Sequence, residues 1–228
     1  MKSTGGSEAA KRAAGEAAAE AAGDGDVVGL GTGSTAAHAI RALGRAVDAG
    51  LDVRGVPTSY QSRALARETG VPLVPLEDVT RIDVAIDGAD QVCDFDLVKG
   101  GGAAHAREKV VAAAADRFLF VVDPTKEAEA LARPVPVEVL PDARSAVAAG
   151  LEALGAEPSL RTASSKDGPV VTDNGNLVLD AAFGRIDDPG GLAAELSALP
   201  GAVEHGLFVG MADAVYVGSR DGVEVRER

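Results

Sequence analysis

Four loops in this 228-residue chain concentrate residue types capable of chemistry. The first, Gly31-Thr32-Gly33-Ser34-Thr35, follows an apolar run at 26–30 and opens an Ala-rich helical stretch that extends to about residue 47. Glycines let the backbone approach an anion, hydroxyls donate to it, and the helix adds N–H groups and the positive end of its dipole. The segment therefore reads as a phosphate cradle, set against the simpler alternative of a tight turn. Gly31, Gly33 and Ala36 also satisfy a dinucleotide G-x-G-x-x-A spacing. The next strand, 53–56, however, ends in Pro57-Thr58-Ser59 with no acid to hold a ribose hydroxyl. A nucleotide P-loop is excluded because no Lys follows the glycines where that motif needs one.

The second loop, Asp87-Gly88-Ala89-Asp90, sets two carboxylates three residues apart at a strand end. Such a pair can pass the hydroxyl protons of a sugar, cap a turn and a helix, or contribute to a Mg²⁺ site. The third, Lys99-Gly100-Gly101-Gly102, feeds a helix carrying Arg107-Glu108-Lys109. A strand-end cation, a run of bare amides and a carboxylate in the early turns of the next helix make a base opposite an oxyanion site. Helical side chains lean toward the N-terminus, so Glu108 is expected to point back over the glycines, whereas Lys109, about 100° round the helix, is not. The ordinary alternative for Glu108 is a solvated helical glutamate. The fourth loop, Asp123-Pro124-Thr125-Lys126, adds another strand-end cation, which taken alone reads equally as a surface lysine.

Charge and composition narrow the partners. A formal charge of −13 disfavours nucleic acid and anionic membrane surfaces, so an anionic small molecule must meet a local positive site. With no Trp, two Tyr and five Phe, the chain offers no stacking platform for single-stranded nucleic acid. Basic residues are mostly Arg, and Lys is confined to Lys2, Lys11, Lys99, Lys109, Lys126 and Lys166. An acidic, Lys-poor surface is expected of a chain adapted to a salt-rich cytoplasm, where screening suppresses self-repulsion. Cys93 stands alone, which excludes an intrachain disulfide, and it reads as a small buried hydrophobe. His38, His105 and His205 show no ligand spacing with one another or with Cys93, so no metal is expected. Residues 1–23 are Ala-rich but broken by Glu8, Lys11, Arg12, Glu16 and Glu20; they hold no apolar targeting region and read as the first helix of a cytoplasmic protein.

The elements that must position these loops follow from periodicity. Strands at 26–30, 53–56, 71–74, 82–86, 95–98 and 117–122 alternate with helices ending near 47, at 59–69 and at 103–115, which argues for a doubly wound, mostly parallel α/β sheet. Ligands bind beyond the carboxyl ends of such strands, where all four loops fall. From about residue 134 the texture changes. A strand at 135–139, a helix at 142–154, a strand at 159–163, a turn at Asp173-Asn174-Gly175, a strand at 177–181, a helix at 190–199 and a strand near Val203 give the β-α-β-β-α-β order of a small ferredoxin-like unit. Strands at 207–209 and 214–217 and a turn at 219–222 are expected to return to the first domain, dividing the chain into 1–133 plus 207–228 and 134–206.

Taken in order, the four loops, Pro134-Val135-Pro136-Val137-Glu138-Val139, Ala143-Arg144-Ser145-Ala146, Val171-Thr172-Asp173-Asn174-Gly175-Asn176 and Gly206-Leu207-Phe208 resemble the signature set of ribose-5-phosphate isomerase type A over nearly the whole chain. The resemblance implies a Rossmann-like domain with a smaller α+β domain inserted near the C-terminus. It also implies an aldose–ketose isomerase that interconverts D-ribose 5-phosphate and D-ribulose 5-phosphate through a cis-enediolate, with no cofactor, as a homodimer or homotetramer. Carried over residue by residue, it makes Glu108 the proton acceptor and gives substrate binding to Thr32, Gly33, Ser34, Thr35, Asp87, Gly88, Ala89, Asp90, Lys99, Gly100, Gly101, Gly102 and Lys126. Lys99 is then expected to stabilise the negative oxygen, and Asp87 or Asp90 to open the sugar ring. The chain departs from the family pattern at Gln91, at His105-Ala106 and at Thr125, where Glu, Leu-Thr and Ser are usual; none of these changes removes a catalytic group. A non-catalytic sugar-phosphate sensor would have no need of Lys99 and Glu108, and a coenzyme A transferase on the same fold would use a glutamate as nucleophile. Neither accounts for all four loops.

Overall fold

The computed structural model describes residues 6–164 and 167–228, so the first five residues of the expected first helix lie outside it. In chain order the first half contains α1 (Glu8–Ala19), β1 (Val27–Leu30), α2 (Ser34–Asp48), β2 (Arg54–Pro57), α3 (Tyr60–Glu68), β3 (Ile82–Gly88), β4 (Gln91–Cys93), β5 (Asp96–Val98), α4 (His105–Ala113) and β6 (Ala115–Val122). The second half contains β7 (Val135–Val139), α5 (Arg144–Ala153), β8 (Glu157–Leu160), β9 (Leu177–Ala182), α6 (Pro189–Ser197), β10 (Ala202–His205), β11 (Leu207–Phe208), β12 (Ala214–Gly218) and β13 (Val223–Glu227). These elements gather into two compact units.

The larger unit holds residues 6–89, Arg107–Glu127 and Met211–Arg228. Its sheet runs β13-β12-β6-β3-β1-β2, parallel throughout except for the antiparallel edge strand β13. Every residue of β1 and β12 is buried, as expected of strands covered on both faces. Ala36, Ala39, Ile40 and Leu43 form the buried stripe of α2 at i, i+3, i+4 and i+7, and the last three pack with Val28, Leu30, Val84 and Ile86 into one core. Ser59 starts α3 with a reciprocal capping box to Ser62. The expected strand at 71–74 shrinks to a single bridge between Gly55 and Leu73, because Pro72 and Pro75 lack the N–H groups a ladder needs. Strand order reverses between β1 and β3, which places a ligand crevice at their carboxyl ends.

The second unit comprises Asp90–Ala106 and Ala128–Gly210. One antiparallel sheet runs β10-β7-β9-β8, with Val135, Val137, Val139, Leu151, Leu179 and Leu196 in the core it shares with α5 and α6. This is the expected ferredoxin-like arrangement. Glu138 on β7 is wholly buried and accepts from Thr172 Oγ1 (2.9 Å), Asn174 Nδ2 (3.0 Å) and Asn176 Nδ2 (2.8 Å), which fixes the turn before β9.

A second, three-stranded sheet runs β11-β5-β4. The strands expected at 95–98 and 207–209 therefore pair with each other rather than joining the first domain's parallel sheet. Only Asp94 and Phe95 separate β4 from β5, and so short a connection permits only an antiparallel hairpin, whereas a parallel neighbour would need a long crossover. For the same reason Asp90–Ala106 groups with the smaller unit. Among the described residues no helix is long and apolar enough to cross a membrane.

Candidate active site

In the larger unit the Gly31–Thr35 loop and the end of β3 are built as one piece. Asp87, 2% exposed, accepts on Oδ1 from the amides of Thr32 (3.0 Å) and Gly88 (2.7 Å). The carboxylate reaches those amides because residue 31 has no side chain: a Cβ there would lie 2.3 Å from Asp87 Cγ. Gly33 serves a different purpose, since it has open space around it but a backbone φ of 115°, which L side chains rarely adopt. The Thr32 hydroxyl donates to Ser59 Oγ (2.7 Å) and lies 2.9 Å from Thr58 Oγ1, tying the loop to the start of α3. Ser34, the exposed first residue of α2, and the α2 amides, with no acid in that first turn, form the part of the loop suited to an anion.

Glu108 lies in the first turn of α4, one turn ahead of Val111. Val111 packs over Gly29 of β1, where a methyl group would fall 2.6 Å from Val111 Cγ1. Because α4 precedes β6, which is parallel to β3, it is the crossover helix between them, and its N-terminal turn sits at the carboxyl edge of the sheet. Glu108 is only 4% exposed, which excludes the solvated-glutamate reading. At the end of β6, buried Asp123 accepts from the amide (3.0 Å) and hydroxyl of Thr125 and so caps the turn that carries Lys126.

The second unit holds the remaining expected residues. Lys99 is 2% exposed; its amide donates to Gly206 O (2.8 Å), and its ammonium stands 5.5 Å from the centroid of the Phe208 ring. Gly100 has a φ of 99°, and the Gly101 amide donates to Asp90 Oδ2 (2.7 Å), so one of the three expected oxyanion amides is already engaged. Ala103, at φ 59°, closes the loop through a bond to Gly100 O (2.9 Å). Two residues missed in the sequence reading join this group. Arg161, just after β8, donates from Nη1 to Gly100 O (2.7 Å) and is itself clamped by Asp180 on β9, through Nε (2.9 Å) and Nη2. Asp180, an acid within the apolar run 177–182, was the only signal. A cavity of about 620 Å³ in this unit is lined by Asp90, Gly101, Arg133, Arg161, Thr162 and Asp180, among others.

Thus Thr32 to Thr35, Asp87, Gly88, Ala89, Glu108 and Lys126 belong to the larger unit, and Asp90 and Lys99 to Gly102 to the smaller one. Among the described residues no three His, Cys, Asp or Glu side chains assemble into a group that could hold a metal.

The family of ribose 5-phosphate isomerase A (phosphoriboisomerase A) matches residues 54–222. The ribose-5-phosphate isomerase A of Haloarcula marismortui is 69% identical over 222 residues, covering 97% of each chain. That of Natronomonas pharaonis is 68% identical over 226 residues, covering 99% of this chain and all of the other. The solved ribose 5-phosphate isomerase A of Methanocaldococcus jannaschii superposes with a TM-score of 0.91 at 42% identity, over 96% of this chain and 98% of that one. A solved D-ribose-5-phosphate isomerase in complex with phospho-erythronic acid superposes with a TM-score of 0.94 at 44% identity, over 98% of this chain and the whole of the other. On sequence and fold together, the chain belongs to the ribose-5-phosphate isomerase A family.

Proposed function

We propose that the protein interconverts D-ribose 5-phosphate and D-ribulose 5-phosphate, with Glu108 moving the proton between C2 and C1. The observation that carries the assignment of Glu108 is its burial in the first turn of α4, at the carboxyl edge of the sheet, where a carboxylate kept from water is placed for proton transfer. Asp90, less buried than Asp87, passes the hydroxyl proton that opens the sugar ring, while Asp87 holds the Thr32 loop. Glu108 then takes the C2 proton to give a cis-enediolate and returns it to C1. Lys99 and the loop amides not engaged by Asp90 stabilise the negative oxygen, a contribution of about 3 kcal/mol per donor in comparable sites. The phosphate, at Gly33 to Thr35 with Lys126, supplies binding energy remote from the reacting carbons. Phospho-erythronic acid, bound by a structural relative, pairs a phosphate with a carboxylate, as the enediolate pairs a phosphate with a negative oxygen at the reacting carbons.

Glu108→Gln tests the assignment in a ribose 5-phosphate assay run with chelator present. Turnover is expected to fall by about 10²–10⁴-fold with the circular dichroism spectrum unchanged. Near-normal turnover by the folded variant would remove Glu108 from the mechanism.

The same reading places the enzyme in the cytoplasm as a homodimer or homotetramer, which light scattering on the purified protein measures. The charge of −13, shared context with Haloarcula and Natronomonas relatives, fits a salt-adapted enzyme whose unfolding midpoint rises from dilute buffer to molar KCl. A midpoint that falls on adding KCl would contradict that adaptation.

A further inference from the structure

We infer that Arg161 is a positioning residue for ring opening, acting on the Asp90 carboxylate through the peptide bond between Gly100 and Gly101. The inference rests on the role proposed for Asp90. A trans peptide presents its C=O and N–H at opposite edges. Here Arg161 Nη1 donates to the C=O edge, at Gly100 O (2.7 Å), and Asp90 Oδ2 accepts from the N–H edge, at Gly101 N (2.7 Å). The three groups thus form one line from guanidinium through peptide to carboxylate. Neither end of that line is loose. Asp180 grips the guanidinium through two of its nitrogens, and the Asp90 amide donates to Val98 O (2.9 Å).

The loop also needs such a hold. Gly100 sits at φ 99° and Ala103 at φ 59°, so the segment adopts backbone angles that cost energy away from glycine and must be fixed from outside. A planar fork held by a carboxylate has one orientation, which a lysine ammonium cannot reproduce. Fixing the peptide plane fixes the direction of the Gly101 N–H, and with it the orientation of the Asp90 carboxylate that accepts from it and passes the sugar's hydroxyl proton. Arg161 and Asp90 both line the cavity of about 620 Å³, so a small cation from solution can enter the space that truncating Arg161 would leave.

The test separates the ring step from the proton transfer. Ribose 5-phosphate enters as a ring, whereas ribulose 5-phosphate, with its C5 oxygen esterified, cannot close a five-membered ring on its C2 carbonyl. Turnover of ribose 5-phosphate therefore includes the Asp90 step, while uptake of solvent deuterium at C1 of ribulose 5-phosphate reads only the Glu108 step. In folded Arg161→Ala, turnover is expected to drop by about 10²-fold, in kcat more than in KM, with deuterium uptake near the wild-type rate. Added guanidinium is expected to restore part of the turnover, and exchange of the Gly101 amide to accelerate. Should the alanine variant fail to fold, Arg161→Lys and Asp180→Asn carry the same comparison, with the same split between the two readouts.

Deuterium uptake that falls in step with turnover would mean that Arg161 serves the glycine loop as a whole, and unchanged turnover would mean that it serves no catalytic purpose; either result overturns the inference. Glu108→Gln provides the separate control. If that variant retains deuterium uptake, the assignment of Glu108 as the base fails, whatever Arg161 does.

Discussion

Replacing Gly31 by alanine tests the claim that this glycine exists to admit Asp87. The new methyl would lie 2.3 Å from both Cγ and Oδ1 of Asp87 and 2.6 Å from its Cα. Ordinary contact would require the two groups to part by roughly 1 Å. The backbone on either side cannot yield easily: Gly31 N donates to Ile86 O (2.9 Å), and Asp87 is in register with Phe120 of β6 in the middle of the sheet. The side chain must therefore swing aside and give up the Thr32 amide. Overpacking costs about 1–3 kcal/mol and a lost hydrogen bond to a charged acceptor about 1.5–3, giving a total of about 2.5–6 kcal/mol.

Urea unfolding with linear extrapolation measures the loss, provided the denaturant dependence stays that of wild type. Gly33→Ala, strained in φ but free of clashes, is expected to cost less, about 1–3 kcal/mol. Gly31→Ala combined with Asp87→Ala is expected to cost less than the sum of the two single changes by more than about 0.5 kcal/mol, as residues in direct contact do. A Gly31→Ala protein as stable as wild type, or strict additivity with Asp87→Ala, would refute the close-approach account.

Glu138→Ala is expected to destabilise the protein by about 3 kcal/mol, because it leaves buried donors of Thr172, Asn174 and Asn176 without their acceptor; urea unfolding and amide exchange across 172–176 report it. Acid stability has one identifiable contributor in α1. Hydrogen bonds from Lys11 first and His38 second hold the Glu8 carboxyl below the ordinary carboxylate range. A depressed folded value means stability that is complete above the unfolded carboxylate range and is lost as pH falls through the folded one. Glu8 is fully exposed, so the expected effect of Glu8→Gln is small: a slightly lower unfolding midpoint near neutrality, converging on wild type as pH falls through the folded carboxylate range, which flattens the acid limb.

Where the sequence reading succeeded, the signal was local. The Gly31 loop and the Lys99 glycines before α4 each sit in a strand–loop–helix pattern, and Asp87 lies at the end of the apolar run of β3, all of which hydrophobic periodicity and glycine placement reveal directly. The split order of β7, α5, β8, β9, α6 and β10 was equally legible, because each element carries its own apolar repeat. Failures came where pairing decides. The run at 71–74 looks like a strand until its prolines leave it with one bridge, and β13, with alternating charged residues, looks like a tail until β12 offers it an edge.

The sequence by itself determined the family, the sheet type and the residues able to handle an anion and a proton, because backbone flexibility, charge and helix direction are properties of short stretches of chain. Only tertiary structure decided what those residues do to one another. It committed the Gly101 amide to Asp90, gave Gly31 its purpose through Asp87, paired β5 with β11, and brought Arg161 and Asp180, sixty and more residues away in sequence, onto the Gly100 carbonyl. Hydrogen bonds between distant segments depend on how strands register and cores close, and no local pattern of residue types encodes that.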